Sequence, residues 1–575
     1  MSLAPMLLAA AAAVLALGRR RSVLGNRWVR LAAVLAVLAV LAAAAPRIGG
    51  ERAWADRTTL VIAALVTGFL AVRGRMGLSR RIALLVLGAA AAGSVTAYVD
   101  FFKFHGDGNS VHYHDVAHYY LGSKYFPELG YTGLYTGMLR AEAEVFDNHF
   151  ASKEARDLVT NRIVSVVPLL QRSETVKAAF SPARWEDFKR DVAFFRTTMQ
   201  GRYPAVLLDH GYNPTPFWTL VGGRIAGLVP PGNAAGIFLL TLLDPVLLVL
   251  MFAAVAWAFG IEAMLLAVTF FCTCFAAGYP WLGGAFFRFP WLFGVVSGTC
   301  LLHRSRSAAG GVLWAGAVLL RVFPAVLLAG PVLGAAARLF TGNRGDGGGN
   351  GDGDRDRPRF LLAVAGTGAV LFLLTGTMAG SFGSWGDFRG NATKYQETIA
   401  SNVVGLTSIL AFTGPERAVS AEEAARLQHR RTVINGVQLA TLFLAVLVLF
   451  ARAARGLSLL DSLAMGTVLL FTGLNLAAYY YLFLVLMVLA HRNRDDVLAL
   501  VFGGEVLIRG AAAFEASQGV QSFYRSLFVL ILLAAVYGRT LIRGPGKGVA
   551  APATAPHRAR ARRSHRGGAP VPRSG

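Results

Sequence analysis

The segment AYVDFFKFHGDGNSVHYHDVAHYYLGSKYFPELGYTGLY (97–135) gathers Asp100, His105, Asp107, His112, His114, Asp115 and His118. Only 11 histidines serve the whole chain, so this is a concentration of proton-transfer and metal-ligating groups. The apolar spacing of DVAHYYLGSKYF predicts a helix, which places Asp115, His118 and Tyr119 at i, i+3 and i+4 on one face. Asp115 then stands in the first helical turn, where the dipole favours a carboxylate, and it reads either as an N-cap or as a general base. Two chemistries fit these residue types: removal of a proton from a hydroxyl by a carboxylate, and coordination of zinc or manganese by H-x-H-D-x-x-H (112–118). A cationic counterpart lies far along the chain. Arg321 interrupts the apolar run GVLWAGAVLLRVFPAVLLAG (311–330). A central arginine costs about 2.5–3.5 kcal/mol on membrane-insertion scales, so it should face a cavity or a partner. Asp244 and Glu262 are the partners a purely structural role would use. Pro324 breaks the helix beside Arg321, giving a re-entrant turn that lifts the guanidinium toward one surface. Arg288 in GGAFFRFPW is a second cation expected at that surface.

The elements that must position these groups follow from composition. Of 575 residues, 55% are hydrophobic and 15% charged, with mean hydropathy +0.51; a soluble domain carries nearer 25% charged residues. Apolar runs recur along nearly the whole length, which excludes a disordered, collagen-like or disulfide-stapled chain. A hydrocarbon core of about 30 Å needs about 20 apolar residues in a helix. Spans are predicted at 3–17, 31–45, 59–72, 82–98, 234–257, 261–278, 289–302, 360–377, 431–450, 459–477, 479–490, 497–511 and 522–539. The interrupted stretches 216–229 and 311–333 are read as partial or re-entrant. Cys272, Cys274 and Cys300 all sit in apolar runs and read as small core residues.

The net charge of +24 is mostly an orientation signal, and no nucleic-acid partner is expected. Arg19, Arg20, Arg21, Arg27 and Arg30, then Arg73, Arg75, Arg80 and Arg81, mark cytoplasmic turns by the positive-inside rule. Arg304 and Arg306, Arg452 and Arg455, and Arg492 and Arg494 mark later ones, and the basic tail 541–575 reads as disordered. Residues 99–215 hold thirteen basic and fourteen acidic residues and should lie outside the cytoplasm, as should 378–430. The expected organisation is N-terminal helices over 1–81, a core over 82–338 carrying the external segment 99–215, a flexible linker over 339–359, and further helices over 360–540. Segment 99–215 is expected to form amphipathic helices lying on the membrane face, or a small lid over a cleft. Ala/Gly/Arg-rich usage points to a GC-rich bacterial genome and hence to a multi-pass bacterial plasma membrane protein.

An Asp just past a helix in a first large external loop, followed by HDVAHYYLGSKYF (114–126), resembles the GT-C integral-membrane glycosyltransferases. The likeness is greatest to the polyprenyl-phosphate-sugar-dependent branch containing glycosyltransferase family 87. GYNPTPFW (211–218) is similar to the re-entry after that loop, LLRVFPAVLL (319–328) to a later helix with a basic residue before Pro, and SNVVGLTSIL (401–410) to an external N-x-x-G-L-like segment. The likeness covers residues 82–410. The chain departs from the family at its start, with three helices before the one preceding the loop, which predicts an added N-terminal hairpin.

The resemblance implies an all-α polytopic GT-C-like bundle of about 11–14 transmembrane helices. It also implies transfer of a sugar, such as mannose, from a polyprenyl-phosphate donor to a lipid or glycan acceptor outside the cytoplasm. Asp115 is then the base, with Asp100 and Asp107 as alternatives. Arg321, Arg288, His114, His118 and Lys124 bind the lipid phosphate. Tyr119, Tyr120, Trp385, Tyr395 and Asn402 contact sugar or acceptor. No cofactor is expected on this reading. Two alternatives stay open: a transporter or lipid flippase, and a membrane metal-dependent hydrolase. H-x-H-D-x-x-H is similar to the H-x-H-x-D-H of metallo-β-lactamase-like hydrolases, with its Asp one place early.

Overall fold

A computed structural model describes residues 53–102, 110–278, 282–341, 352–378, 382–396, 403–412, 421–453, 456–514 and 517–543, with a few isolated positions beyond them. The predicted spans 3–17 and 31–45 lie largely outside these residues, as does most of the basic tail. The fold is all-helical apart from two short antiparallel pairs, Glu154–Asp157 with Arg162–Ser165 and Val403–Val404 with Leu476–Ala477.

Among the described residues, six helices are long and apolar enough to cross a membrane: Ala53–Gly74, Arg80–Val99, Ala234–Phe259, Asp356–Thr377, Val433–Arg452 and Gly519–Gly538. Shorter apolar helices fill the space between them, among them Ile261–Thr273, Pro290–His303, Ser307–Leu320 and Leu459–Gly473. Their outward faces carry bare hydrocarbon: Leu85, Val249, Leu362 and Phe443 are exposed. Contiguous apolar surface of this kind has no place in water and fits a lipid surround. Inside, Phe270, Trp291, Tyr481, Phe483 and Phe502 pack as one core, which also takes in Cys272, Cys274 and Cys300 as buried thiols.

Polar contacts cluster at the two ends of these helices. At one end Arg73 binds Glu262 at 2.5 Å and Asp495 at 2.6 Å, tying three helices together. Nearby in the chain's turns, Ser307 donates to Asp356 (2.7 Å) and Arg357 to the Leu457 carbonyl (2.8 Å). The linker expected to run to residue 359 is helical from Asp352 onward. The stretch 311–333 is a helical hairpin, Ser307–Leu320 and Ala329–Thr341, broken at Arg321 with the short turn Pro324–Leu327 between. Its apex touches the 100–233 segment, because Thr215 donates to the Leu319 carbonyl at 2.5 Å and Arg321 to Tyr119 at 3.1 Å. The helix Pro216–Gly227 is only 12 residues long; before it Thr215 donates to the Leu319 carbonyl, and after it the Val229 carbonyl accepts from Lys124.

Residues 110–233 form a folded cap with an apolar core of their own. Helix Pro182–Met199 is started by Ser181, whose Oγ accepts from Arg184 N–H, with proline at N1. It buries Trp185, Phe188, Val192 and Phe195 against Tyr125, Leu134, Met138 and Tyr203. The two-stranded hairpin 154–165 closes one side. Arg80–Val99 leads into the cap through a sharp reversal. Asp100 (φ 42°) and Phe101 (φ 53°) both take the left-handed conformation, which L-residues adopt only when packing imposes it.

Candidate functional site

The predicted helix over DVAHYYLGSKYF forms as Tyr113–Val116, a single π-turn Ala117–Leu121, and Gly122–Lys124. A π-turn widens the helix by one residue and re-aims the side chains that follow. His112, not Asp115, is the N-cap: its Nδ1 accepts the Asp115 N–H at 3.2 Å. The Asp115 side chain is thereby released from capping. Asp115, His118 and Tyr119 share one face, and together they line a cavity of about 850 Å³ between the cap and the helix ends. His112, His114, Asp209, His210, Asn213, Arg288 and Tyr479 complete its chemically active wall.

Asp115 Oδ1 pairs with the Arg288 guanidinium at 3.1 Å; Asp115 is buried and Arg288 largely so. The other carboxylate oxygen, Oδ2, has no hydrogen-bond partner. The Tyr119 hydroxyl accepts from Arg288 at 3.5 Å and from Arg321 at 3.1 Å, so one phenol joins two guanidinium groups. Arg288 also lies over the Tyr119 ring (5.7 Å) and the Tyr479 ring (5.1 Å), and Arg321 over Tyr119 (5.6 Å). Arg321 meets no carboxylate among the described residues, and the Nε of each arginine is buried and unpartnered. Arg321 is buried behind Tyr119 and is not itself among the residues lining the cavity; with Arg288 it gives two cations to the one carboxylate of Asp115, an excess of positive charge that an incoming anion would relieve.

Asp244 is the brace behind this centre. It accepts the backbone N–H groups of Arg288 (2.8 Å) and Phe289 (2.9 Å), fixing the turn that aims Arg288. Asp244 thus holds the Arg288 backbone and leaves Arg321 free of a structural ion pair. The same residue lines a second, apolar cavity of about 750 Å³ running between Arg80–Val99 and Ala234–Phe259. Val249, Phe252, Ala256, Val268 and Phe271 line it, together with Gly284 and Phe289. The segment 284–289 is therefore a shared wall, with the polar cavity on one side and a hydrocarbon groove on the other.

The remaining predicted residues divide. His114 lines the cavity and its Nε2 meets Asp209 Oδ2 at 3.0 Å. His118 Nδ1 donates to the His114 carbonyl (2.7 Å), which leaves Nε2 to accept from the Tyr135 hydroxyl (2.7 Å). Burial, with His114 adding its charge, holds this imidazole below the usual histidine range. Desolvation would raise Asp209, but the hydrogen bond from His114, the charges of His118 and His114 and the His210 N–H together outweigh it and keep the carboxyl well below its usual range. Lys124 and Tyr120 do not line the cavity. Lys124 is buried against Asp191 (2.9 Å), the Tyr120 hydroxyl and the Val229 carbonyl, a knot that holds the cap together. Neither side chain is free to bind a lipid phosphate or a sugar there, because Asp191 and the Val229 carbonyl hold both in the cap interior.

Asp100 is buried at the base of the cap and is not part of the cavity wall. Trp385 stacks on Phe372 (5.1 Å) from helix Gly383–Gln396, which touches the cap through Asn391 and Tyr212. Tyr395 lies on that helix. Asp107 and Asn402 lie outside the described residues. Sequence reasoning did not single out Asp209, His210, Asn213 or Tyr479. The dipeptide Asp209–His210 before GYNP was the one local signal, and Tyr479 was hidden in an aromatic run at the end of a span. Comparison with family models, curated proteins and solved structures finds no match to this chain.

Proposed function

We propose that the protein is a multi-pass membrane glycosyltransferase. It moves a sugar such as mannose from a polyprenyl-phosphate donor to a lipid or glycan acceptor. The membrane is the bacterial plasma membrane, with the cap outside and the C-terminus in the cytoplasm. The observation that carries this reading is the meeting of Arg288 and Arg321 on the Tyr119 hydroxyl, with Asp115 paired to Arg288, beside an apolar groove. Each part answers a need of the reaction. The donor's phosphate is the leaving group, and two buried guanidinium groups offer the charge-assisted contacts that stabilise it as it departs. The acceptor hydroxyl must lose its proton, and Asp115, whose Oδ2 has no hydrogen-bond partner, is among the residues lining the cavity in which it would sit. A polyprenyl tail needs hydrocarbon within reach of the phosphate, and the groove shares the 284–289 wall with the cavity.

The test is transfer of labelled sugar from a set of polyprenyl-phosphate donors by the purified chain in liposomes, with a membrane glycolipid extract as acceptor. Asp115→Asn keeps the size and the Arg288 contact but removes the base. Transfer should fall by about 10²–10⁴-fold while expression and insertion stay normal. Turnover in Asp115→Asn equal to the parent would remove Asp115 from the reaction. Donor-independent movement of lipid across the bilayer would favour a flippase instead.

A further inference from the structure

We propose that His114, His118 and Asp209 form a divalent transition-metal site, with zinc as the ion of best fit, on the acceptor side of the cavity. One donor atom from each residue lies within 4.8 Å of the others, and all three residues line the cavity. The site is assembled from two distant pieces of chain. His114 and His118 come from successive turns of the cap's first helix, and Asp209 from the segment that follows helix Tyr203–Leu208. His114 Nε2 and Asp209 Oδ2 stand 3.0 Å apart and share one proton. That separation is close to what two donors on one ion require when each bond is about 2.0–2.2 Å. An ion would take the place of the shared proton, so loading releases a proton to solvent.

His118 is oriented for the same task. Its Nδ1–H is committed to the His114 carbonyl, which fixes the tautomer and leaves Nε2 as the nitrogen with a lone pair. In the metal-free chain that lone pair accepts from Tyr135, whose oxygen in turn accepts the Gly211 N–H. Loading exchanges this hydrogen bond, and the 3.2 Å contact of Nε2 with the Val206 carbonyl, for a coordinate bond. Two imidazoles and one carboxylate suit zinc, and three protein ligands beside an open cavity leave room for an oxygen donor as the fourth. The neighbouring histidines are held elsewhere. His112 Nδ1 caps the Asp115 N–H, and His210 Nδ1 bonds Asn161. The bound ion would therefore engage hydroxyl oxygens entering from the open side, away from the arginine pair.

This site stands independently of the transfer reading and is tested by binding. The full chain, purified in detergent with an affinity tag that lacks histidine and stripped with a chelator, is titrated with zinc chloride by calorimetry. In a parallel series, cobalt(II) is followed by its visible absorption. One equivalent per chain should bind, with the intense cobalt bands of a tetrahedral site. His114→Ala, His118→Ala and Asp209→Asn should each weaken zinc by roughly 100-fold or more, as loss of a direct ligand exceeds the 10–100-fold effect of its supports. His149→Ala, on the exposed side of the cap, should leave binding unchanged. Circular dichroism melts identify any variant that fails to fold, and Asp209→Asn, which keeps the side-chain shape, guards against that outcome. Absence of a stoichiometric site, or binding unaltered in the folded triple variant, overturns the proposal. Asp115→Asn separates the two readings: it should abolish transfer while still binding zinc.

Discussion

Arg321 is the residue on which the electrostatics of the centre turn. A guanidinium buried beside a second guanidinium, with only a phenol between them, is costly to maintain unless an anion completes the set. Truncation should therefore act on donor use. Charge-assisted hydrogen bonds contribute about 1.5–3 kcal/mol, so Arg321→Ala should lower kcat/KM for the polyprenyl-phosphate donor by roughly 10–150-fold. Arg321→Lys keeps the charge but loses the planar fork, and should fall between the two. Initial rates against donor concentration decide the matter, and unchanged donor dependence in Arg321→Ala would dispose of the phosphate role. At this scale the sequence was legible where chemistry was local. Asp115, His118 and Tyr119 share a face because i, i+3 and i+4 must, and Arg321 announces itself by its cost in an apolar run. Pairings across the chain were not legible. Nothing near Lys124 marks Asp191 as its partner, and nothing near His114 marks Asp209, since each pair exists only once the cap has folded.

Two short pieces of backbone, 110–112 and 284–289, bring the acid and its arginine together. They meet at a seam where the His112 N–H donates to the Gly284 carbonyl at 2.8 Å. Gly284 has φ +66°, and a Cβ there would lie 1.9 Å from the Ser110 carbonyl oxygen and 3.0 Å from the His112 nitrogen. No side chain fits without parting the two segments. Parting them displaces the N-cap of the Asp115 helix on one side and the Arg288 turn on the other. Gly284→Ala should accordingly lower the melting temperature and reduce transfer at least tenfold, about 1.4 kcal/mol in barrier terms. Gly88→Ala, which meets open space on helix Arg80–Val99, should change neither. A Gly284→Ala protein with parental turnover would show that the seam does not set the Asp115–Arg288 geometry. The helices at this scale were mostly readable from apolar runs. The 154–165 hairpin and the π-turn were not, because EARD and RIVS carry little alternation and a π-turn is imposed by packing rather than by residue type.

For the molecule as a whole, the decisive arrangement is a polar cavity and a hydrocarbon groove set back to back across one strip of chain. The structure gathers the Arg73–Glu262–Asp495 clamp at one end and the cap at the other, joined by helices such as Arg80–Val99, about 30 Å long. The groove itself was invisible in the sequence, because an apolar helix face reads the same whether it meets lipid, protein or an empty channel. On the proposed function, its role follows from the size of the donor. A polyprenyl chain is far longer than the phosphate and sugar it carries, and its hydrocarbon can leave the bilayer only where the protein supplies an equally apolar path. Ala253 and Ala256 line that path, and their small side chains keep it wide. Ala253→Trp would fill part of the 750 Å³ without touching Asp115, Arg288 or Arg321. Transfer from a long-chain donor should then fall by an order of magnitude or more, chiefly through KM, while a donor truncated to one or two isoprene units should be used as well as by the parent. The two donors compared side by side separate a blocked groove from a damaged centre. Equal losses with both would mean that the substitution distorts the site, and equal retention with both would mean that the tail travels by another route.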